Sequence, residues 1–524
     1  MRRTIFARLL ILTLLGAACA GGGGEQLGTA TDDRGIEVRM AAPEDTWPPE
    51  GQDFQSTTFA YPLNVNVYEP LIYLGSDYSL QPGLAERWEL VPPNTWRFHL
   101  RRGVQFHDGR PLTANDVMWS WAERQMQGQK LTTVTNTLGP DSVKKVDDFT
   151  VDFTPRVPNL RLPEQIVHPE GAIVPRGNHF DSDPPIGTGP FRVVEYRPRE
   201  SVTVERFDGY WGEKPQVKRI HTRFLPDPQT RVEALRAGEV DFVIDLPATA
   251  VESLTAGGSS KVVSSKPGRN DLIYSNKTGQ APFDLGADRT IRQAVSLALD
   301  RQAYVDAVYE GNAEPGRWMA PSSVLGASAD IVRPVPYDPG RARGVLDAAG
   351  WQAGPDGIRV KNGRPLSLAL IGTQETPEAA LLFIQAQLRE VGIAVEIKKT
   401  PDRPTRNNLY NNTQFDLDLE PPNQNDGNPA FLPVLRMYSK NREAFRFAPG
   451  GEFDVWAERA LAATSREEVQ RASAEMMRIL IHDEFIVVPM AGIFRIYGMT
   501  PDVGLGDPHP SQTNQSWVSL TKTG

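Results

Sequence analysis

At 524 residues the chain is too long for one hydrophobic core, so two or three domains are expected. Hydrophobic residues make up 40% and charged residues 23%, an ordinary globular composition, while 45 glycines and 44 prolines indicate many turns and irregular connections. The net charge of −9 excludes a general nucleic-acid binder, which needs a basic face to neutralise phosphates, and the single cysteine, Cys19, excludes an internal disulfide.

The N-terminus reads as an export signal over residues 1–19. Arg2, Arg3 and Arg8 form a positive n-region, Leu9 to Leu15 an apolar core too short to span a bilayer, and Ala17 and Ala18 precede Cys19. This resembles a bacterial lipobox, which implies a lipidated Cys19 and attachment to a membrane; Gly16 stands where leucine is usual, and an ordinary secretory signal is the alternative. A mature chain with no further cysteine suits an oxidising exterior. Residues 20–33 begin with the run AGGGGEQLG and form a flexible tether, whose first nine residues reach on the order of 15–20 Å.

Ile36, Val38 and Met40 alternate as a first strand, followed by the proline-rich loop Ala42 to Gln52. The densest local signal is the stretch Phe98 to Trp121. Phe98, Leu100, Val104 and Phe106 follow strand alternation, and Asp108 and Gly109 supply left-handed positions for a tight turn. Thr113 is placed to cap a helix, with Asp116 reaching back to its backbone and Val117, Met118 and Trp121 on the buried side. Further strands at Trp96 to Leu100 and Thr150 to Phe153 make this region a small α+β domain.

Between Gly187 and Leu246 the pattern becomes strand, hairpin, strand, helix, strand. Val202 and Val204, then Ile220, Thr222 and Phe224, alternate; a helix over Thr230 to Arg236 stops at Gly238; and Val240, Phe242 and Ile244 close a βαβ unit. Asp288 opens one helix running to Gly311, Asp338 and Pro339 open another closed by Gly350, and Thr376 and Pro377 start a third ending at Gly392 and feeding the strand Ala394 to Ile397. Phe453 to Ala463 and a Ser465/Glu468 capping box give a final helix pair, and Phe485 to Met490 is an apolar strand. No internal repeat is visible.

Several stretches in order carry a family resemblance: Val67 to Leu71 (VYEPL), Pro82 to Trp88 (PGLAERW), the Phe98 to Trp121 stretch, Gly187 to Phe191 (GTGPF), Asp208 to Trp211 (DGYW), Thr230 to Asp241 and Ile291 to Arg301. Together they resemble the peptide- and nickel-type extracytoplasmic solute-binding proteins of ABC importers, solute-binding family 5. The resemblance implies an α/β, type II periplasmic-binding-protein-like fold, two lobes joined by hinge strands plus an extra α+β domain. Lobe I is expected at 34–67, 184–272 and 491–524, the extra domain at 68–183 and lobe II at 273–490. Asp271 to Asn276 would be the first hinge crossing and Phe485 to Met490 the second.

Motif searches for catalysis are negative: GxSxG, HExxH and a zinc-type cluster among the seven histidines are missing, so catalytic residues, metal sites and cofactors are not expected. The resemblance places the loop after the first strand at the ligand cleft, making Asp45 and Trp47 site candidates, with Tyr274 on the hinge stretch. The most polar loop follows Phe415, Leu417 and Leu419, which alternate with Asp416, Asp418 and Glu420 before Pro421, Pro422, Asn423, Gln424, Asn425 and Asp426. In the family an acidic residue after this strand pairs with a peptide's α-ammonium, a charge-assisted bond that suits a desolvated cleft; Glu420 and Asp426 are both candidates, with Asn423 and Asn425 beside them. Pro421 and Pro422 depart from the family's Gly-Trp.

The function so implied is capture of di- or oligopeptides by a monomeric, membrane-anchored extracytoplasmic lipoprotein that hands them to an ABC permease. An oligosaccharide or a nickel chelate is the alternative ligand. A secreted hydrolase and a surface adhesin or chaperone are the competing classes.

Overall fold

A computed structural model describes residues 35–43, 65–126, 138–156, 159, 161–167, 171–178, 185–320, 322–373, 376–401, 403–420, 428–440, 449–510 and 515–523. Three sheets organise them. The strands used below are β1 (Glu37–Ala42), β2 (Ala85–Val91), β3 (Thr95–Leu100), β4 (Val143–Asp147), β5 (Thr150–Phe153), β6 (Phe191–Arg197), β7 (Ser201–Arg206), β8 (Arg219–Phe224), β9 (Phe242–Ile244) and β10 (Lys261–Ser264). They continue as β11 (Arg269–Ser275), β12 (Ala313–Pro315), β13 (Ser367–Thr373), β14 (Ala394–Thr400), β15 (Leu417–Glu420), β16 (Val487–Ile493) and β17 (Ile496–Met499).

A seven-stranded sheet runs β10-β17-β9-β1-β8-β7-β6, with β1 parallel to both β8 and β9. A six-stranded sheet runs β12-β16-β11-β15-β13-β14, in which β13 and β14 are parallel and β11 lies antiparallel to β15 and β16. A four-stranded antiparallel sheet, β2-β3-β5-β4, packs beneath α1 (Ala114–Met126) through Phe98, Val117, Trp121, Val151 and Phe153, with the rings of Trp121 and Phe153 edge to face.

The helices begin and end where the chain carries the chemistry to cap them. Thr113 N–H and Oγ1 both donate to Asp116 Oδ2 at 2.8 Å, closing the first turn of α1. Asp227 accepts from Thr230 N at the start of α2 (Pro228–Arg236), Asp288 from Thr290 N at the start of α3 (Arg289–Ala298), and Asp338 from Arg341 N further on. The expected single helix from Asp288 to Gly311 is two. Leu299 is extended, and Asp300 caps a fresh helix, α4 (Arg301–Tyr309), by accepting from Ala303 N. The side chain that an uninterrupted helix would spend on solvent instead starts a new one.

The opening hairpin also differs from its expected form. β3 ends at Leu100; Val104 and Phe106 are buried in irregular chain around a bridge between Gln105 and Pro111, and of the two turn residues only Gly109 has a positive φ, +85°. His107, beyond them, clamps this turn to the GTGPF segment. Its Nδ1 accepts from Gly187 N at 3.3 Å and its Nε2 donates to Gly189 O at 3.0 Å, which fixes the neutral Nε2–H form. Burial accordingly pushes the imidazole pKa down to about 4. Gly189 has to be glycine: a Cβ there would lie 2.5 Å from Asn66 O.

Glu69 of the VYEPL segment is fully buried and gathers another of these stretches. Its Oε1 accepts from Tyr73 Oη at 2.7 Å and Tyr210 Oη at 2.9 Å, and its Oε2 from Trp211 Nε1 at 2.9 Å. Burial raises the Glu69 pKa against these donors.

Candidate functional site

The two larger sheets are joined by crossings that run side by side. β10 passes to β11 through residues 265–268, and β16 passes to β17 through residues 494–495. Ser265 N donates to Arg495 O at 2.9 Å, Arg495 N to Ser265 Oγ at 3.1 Å, and Gly268 N to Ile493 O at 3.3 Å. The first crossing therefore precedes the expected Asp271 to Asn276, most of which lies inside β11; alternation marks a strand but not the sheet it joins. Asp271 itself is buried and accepts from Tyr304 Oη at 2.7 Å and Tyr309 Oη at 2.6 Å, fastening β11 to α4.

A charged cluster sits on one face of the β11–β15 pair. Leu272 pairs with Glu420 and Tyr274 with Asp418, so alternation puts all four on one side, where α5 (Arg403–Asn411) and α6 (Phe431–Met437) supply Arg406 and Arg436. Arg436 grips Glu420 with both ends of its fork, Nη1 to Oε2 at 2.7 Å and Nη2 to Oε1 at 2.9 Å. Arg406 lies 3.2 Å from the same Oε2 and also ion-pairs with Asp418. The Arg436 guanidinium stands 5.8 Å from the Tyr274 ring centroid and that of Arg406 5.5 Å from Tyr410.

These contacts divide the two carboxylates. Burial acts to raise both, but Arg436 and Arg406 outweigh it at Glu420 and hold that group down at about 2. At Asp418 burial prevails over Arg406, with the Glu420 charge adding to it, and the group is pushed up to about 6. Two guanidinium groups against two carboxylates make a closed, nearly neutral unit.

Of the residues singled out in the sequence, the structure brings Tyr274 and Glu420 into this one cluster. Tyr274 is fully buried beneath Arg436, and Glu420 already holds two cations. Cys19, Asp45, Trp47, Asn423, Asn425 and Asp426 lie outside the described residues. The residues missed are Arg406, Arg436 and the buried half of Asp418. Their signal was the run of acids at 416, 418 and 420 on a strand with apolar neighbours, since carboxylates enclosed on both faces need donors. Asp416 finds them in backbone: it accepts from Gly286 N at 3.0 Å and Ala369 N at 2.9 Å.

Two α/β sheets are thus bridged by a pair of adjacent, hydrogen-bonded crossings. Residues 79–443 match the family described as bacterial extracellular solute-binding proteins, family 5 middle, and the chain belongs to that family, whose members bind solutes and are not enzymes. The chain is 29% identical over 357 residues to the nickel-binding periplasmic protein of Escherichia coli K12, covering 63% of this chain and 65% of that one. It is 30% identical over 343 residues to the E. coli dipeptide-binding protein, covering 58% and 62%. The matches thus span somewhat under two thirds of these relatives' lengths. Among solved structures, NikA from Brucella suis with Fe(III)-EDTA superposes with TM-score 0.82 at 23% identity over 93% of this chain and all of that one. The oligopeptide-binding protein AppA from Bacillus subtilis, with a nonapeptide, gives 0.75 at 20% identity over 94% and 99%. The fold is the mixed α/β fold of these periplasmic binding proteins.

Proposed function

We propose that the chain is the extracytoplasmic binding component of an ABC importer, and that it captures a peptide between the seven- and six-stranded sheets and delivers it to a permease. The two sheets are the two lobes, and the four-stranded sheet with α1 is the extra domain. The observation that carries this reading is the pair of hydrogen-bonded crossings at 265–268 and 494–495, the only covalent links between the two larger sheets that the described strands form. Such a pair bends as a unit, so contacts made by a ligand with both lobes shift the balance from open to closed. Peptide is favoured because an extended backbone can be held through its amides and carbonyls with its termini fixed by charge, and the relatives include a dipeptide-binding protein and a structure holding a nonapeptide.

A second reading, a metal chelate as cargo, rests on the nickel-binding relative. Thermal melts of the soluble chain with free-amine peptides, N-acetylated peptides, oligosaccharides and nickel–histidine separate the cases. At about one hundred times its dissociation constant the true ligand adds roughly 2.7 kcal/mol of stability. A shift with nickel–histidine alone moves the cargo away from peptide, and a shift with none of them sinks the reading.

Attachment through a lipid on Cys19 belongs to the same proposal. Cys19→Ser is expected to move the protein from the membrane pellet to the soluble fraction of expressing cells; a variant that still pellets contradicts the lipid anchor.

A further inference from the structure

Beyond β12 the chain returns over the six-stranded sheet, and its buried apolar residues Met319, Ala320, Leu325, Ala329 and Val332 lie in one cluster with Tyr274 of β11. Val324 is the exception. Fully buried, it belongs instead to the core of the four-stranded sheet and α1, the cluster of Phe98, Trp121 and Phe153. Among the described residues, the other buried members of that core run from Leu71 to Ile173. Val324 therefore reaches it from a distant part of the chain, out of the lobe on the other side of the crossings.

The local chemistry presents Val324 and holds its neighbour back. Val324 and Leu325 share one short helix, Ser322–Leu325, yet enter different cores, since successive helical residues point about 100° apart. Gln470, on the helix Arg466–Arg478, fixes this turn from the side of lobe II: its Nε2 donates to Val324 O at 2.9 Å. Gly326 leaves the turn with φ +56°, and a Cβ there would lie 2.9 Å from that same Nε2, displacing the amide that holds Val324 O. A polar contact follows the apolar one. Asp77 lies in the turn Gly75–Ser79 beside Tyr78, a member of the same core as Val324. Hydrogen bonds from Ser79 hold its pKa below the usual carboxylate range, and the guanidinium of Arg466, one helical turn before Gln470, adds to that.

We propose that Val324 is a latch: it holds lobe II against the extra domain while the cleft is closed, and leaves that core when the cleft opens. This rests on the two-lobed reading above and gives the extra domain a part in closure. That domain lies between β1 and β6 in sequence, so it is joined at both ends to lobe I, and a swing of lobe II about the paired crossings draws Val324 out of it. A single valine suits such a contact. Its burial favours the closed form, while uncovering it breaks no hydrogen bond and leaves the turn fixed to Gln470.

The test uses the Cys19→Ser chain, which has no other cysteine, carrying Val324→Cys or Leu325→Cys. Each is alkylated with iodoacetamide, without ligand, over urea concentrations below the unfolding transition, and each rate is normalised to that of the denatured chain. The Val324→Cys thiol is expected to react roughly a hundredfold or more faster than the Leu325→Cys thiol, and almost independently of urea. The Leu325→Cys rate should climb steeply with urea, because that side chain is uncovered only by unfolding of lobe II. Equal rates with equal urea dependence mean that Val324 leaves its core only on unfolding, and overturn the latch. A Val324→Cys rate as high as in the denatured chain overturns it too, since the contact is then not formed. Small-angle scattering separates lobe opening from fraying of the short helix: Val324→Ser should enlarge the radius of gyration of the ligand-free chain, and an unchanged radius overturns the proposal. If these results hold while no trial solute shifts the melt, the peptide reading fails and the latch stands.

Discussion

Replacing Glu420 by alanine is expected to destabilise the protein by about 3–5 kcal/mol, among the largest effects of any single substitution in the six-stranded sheet. The change leaves Arg436, whose side chain is 24% exposed, with no carboxylate among the described residues, and leaves Arg406 with Asp418 alone among them. The exposure lets some water reach Arg436, which pulls the expectation toward the lower end of that range. Replacing both members, Glu420→Leu with Arg436→Leu, should restore most of the loss, because an apolar pair of similar volume carries no desolvation cost. Urea unfolding of the single and double variants reads this as a lowered midpoint that recovers. The same experiment separates two roles for Glu420. An ammonium anchor would show its main effect on free-amine peptide affinity with a small change in stability; a member of a closed ion network shows the reverse. An unchanged midpoint in Glu420→Ala would mean that the cluster behaves as a surface ion pair and that its burial carries no weight.

The local signals were legible where the chain supplies both halves of an interaction within a few residues. Asp288 and Asp338 each reach an amide two or three positions on, and Ser465 and Glu468 close a reciprocal capping box, so those helix starts could be read directly, whereas Asp227 opens α2 two residues ahead of the expected Thr230. Gly238, Gly311, Gly350 and Gly392 all take positive φ near the ends of helices. Asp300 was passed over because apolar spacing continues through Leu299 and hides a break in the backbone. The strand from Phe415 shows the limit more sharply. Alternation there predicts one wet face, yet Asp416 and Asp418 are as buried as Leu417 and Leu419. Their partners come from far away in sequence: Gly286 and Ala369 for Asp416, and Arg406 from a helix for Asp418. A period-two pattern carries no information about donors that arrive from other segments.

The motif stretches that carry the family resemblance turn out to meet in packing, and Glu69 gives the sharpest test of that. Glu69→Ala is expected to cost about 2–4 kcal/mol, because it strips the acceptor from two hydroxyls and an indole N–H and opens a cavity beneath them. The figure stays below the sum of three lost bonds because Tyr73, Tyr210 and Trp211 are each partly exposed and recover some hydration. Glu69→Gln should cost much less, about 1 kcal/mol. The amide can turn its oxygen toward Trp211 Nε1, which only donates, and its NH2 toward the two tyrosine hydroxyls, which can accept. Burial has already raised the pKa of the native carboxyl, so removing its charge forfeits little. Calorimetric melts of both variants decide between this and a charge-dependent role. Equal losses in Glu69→Gln and Glu69→Ala would mean that the site needs an ionised carboxylate, and that a cation beyond the neutral donors seen here completes it.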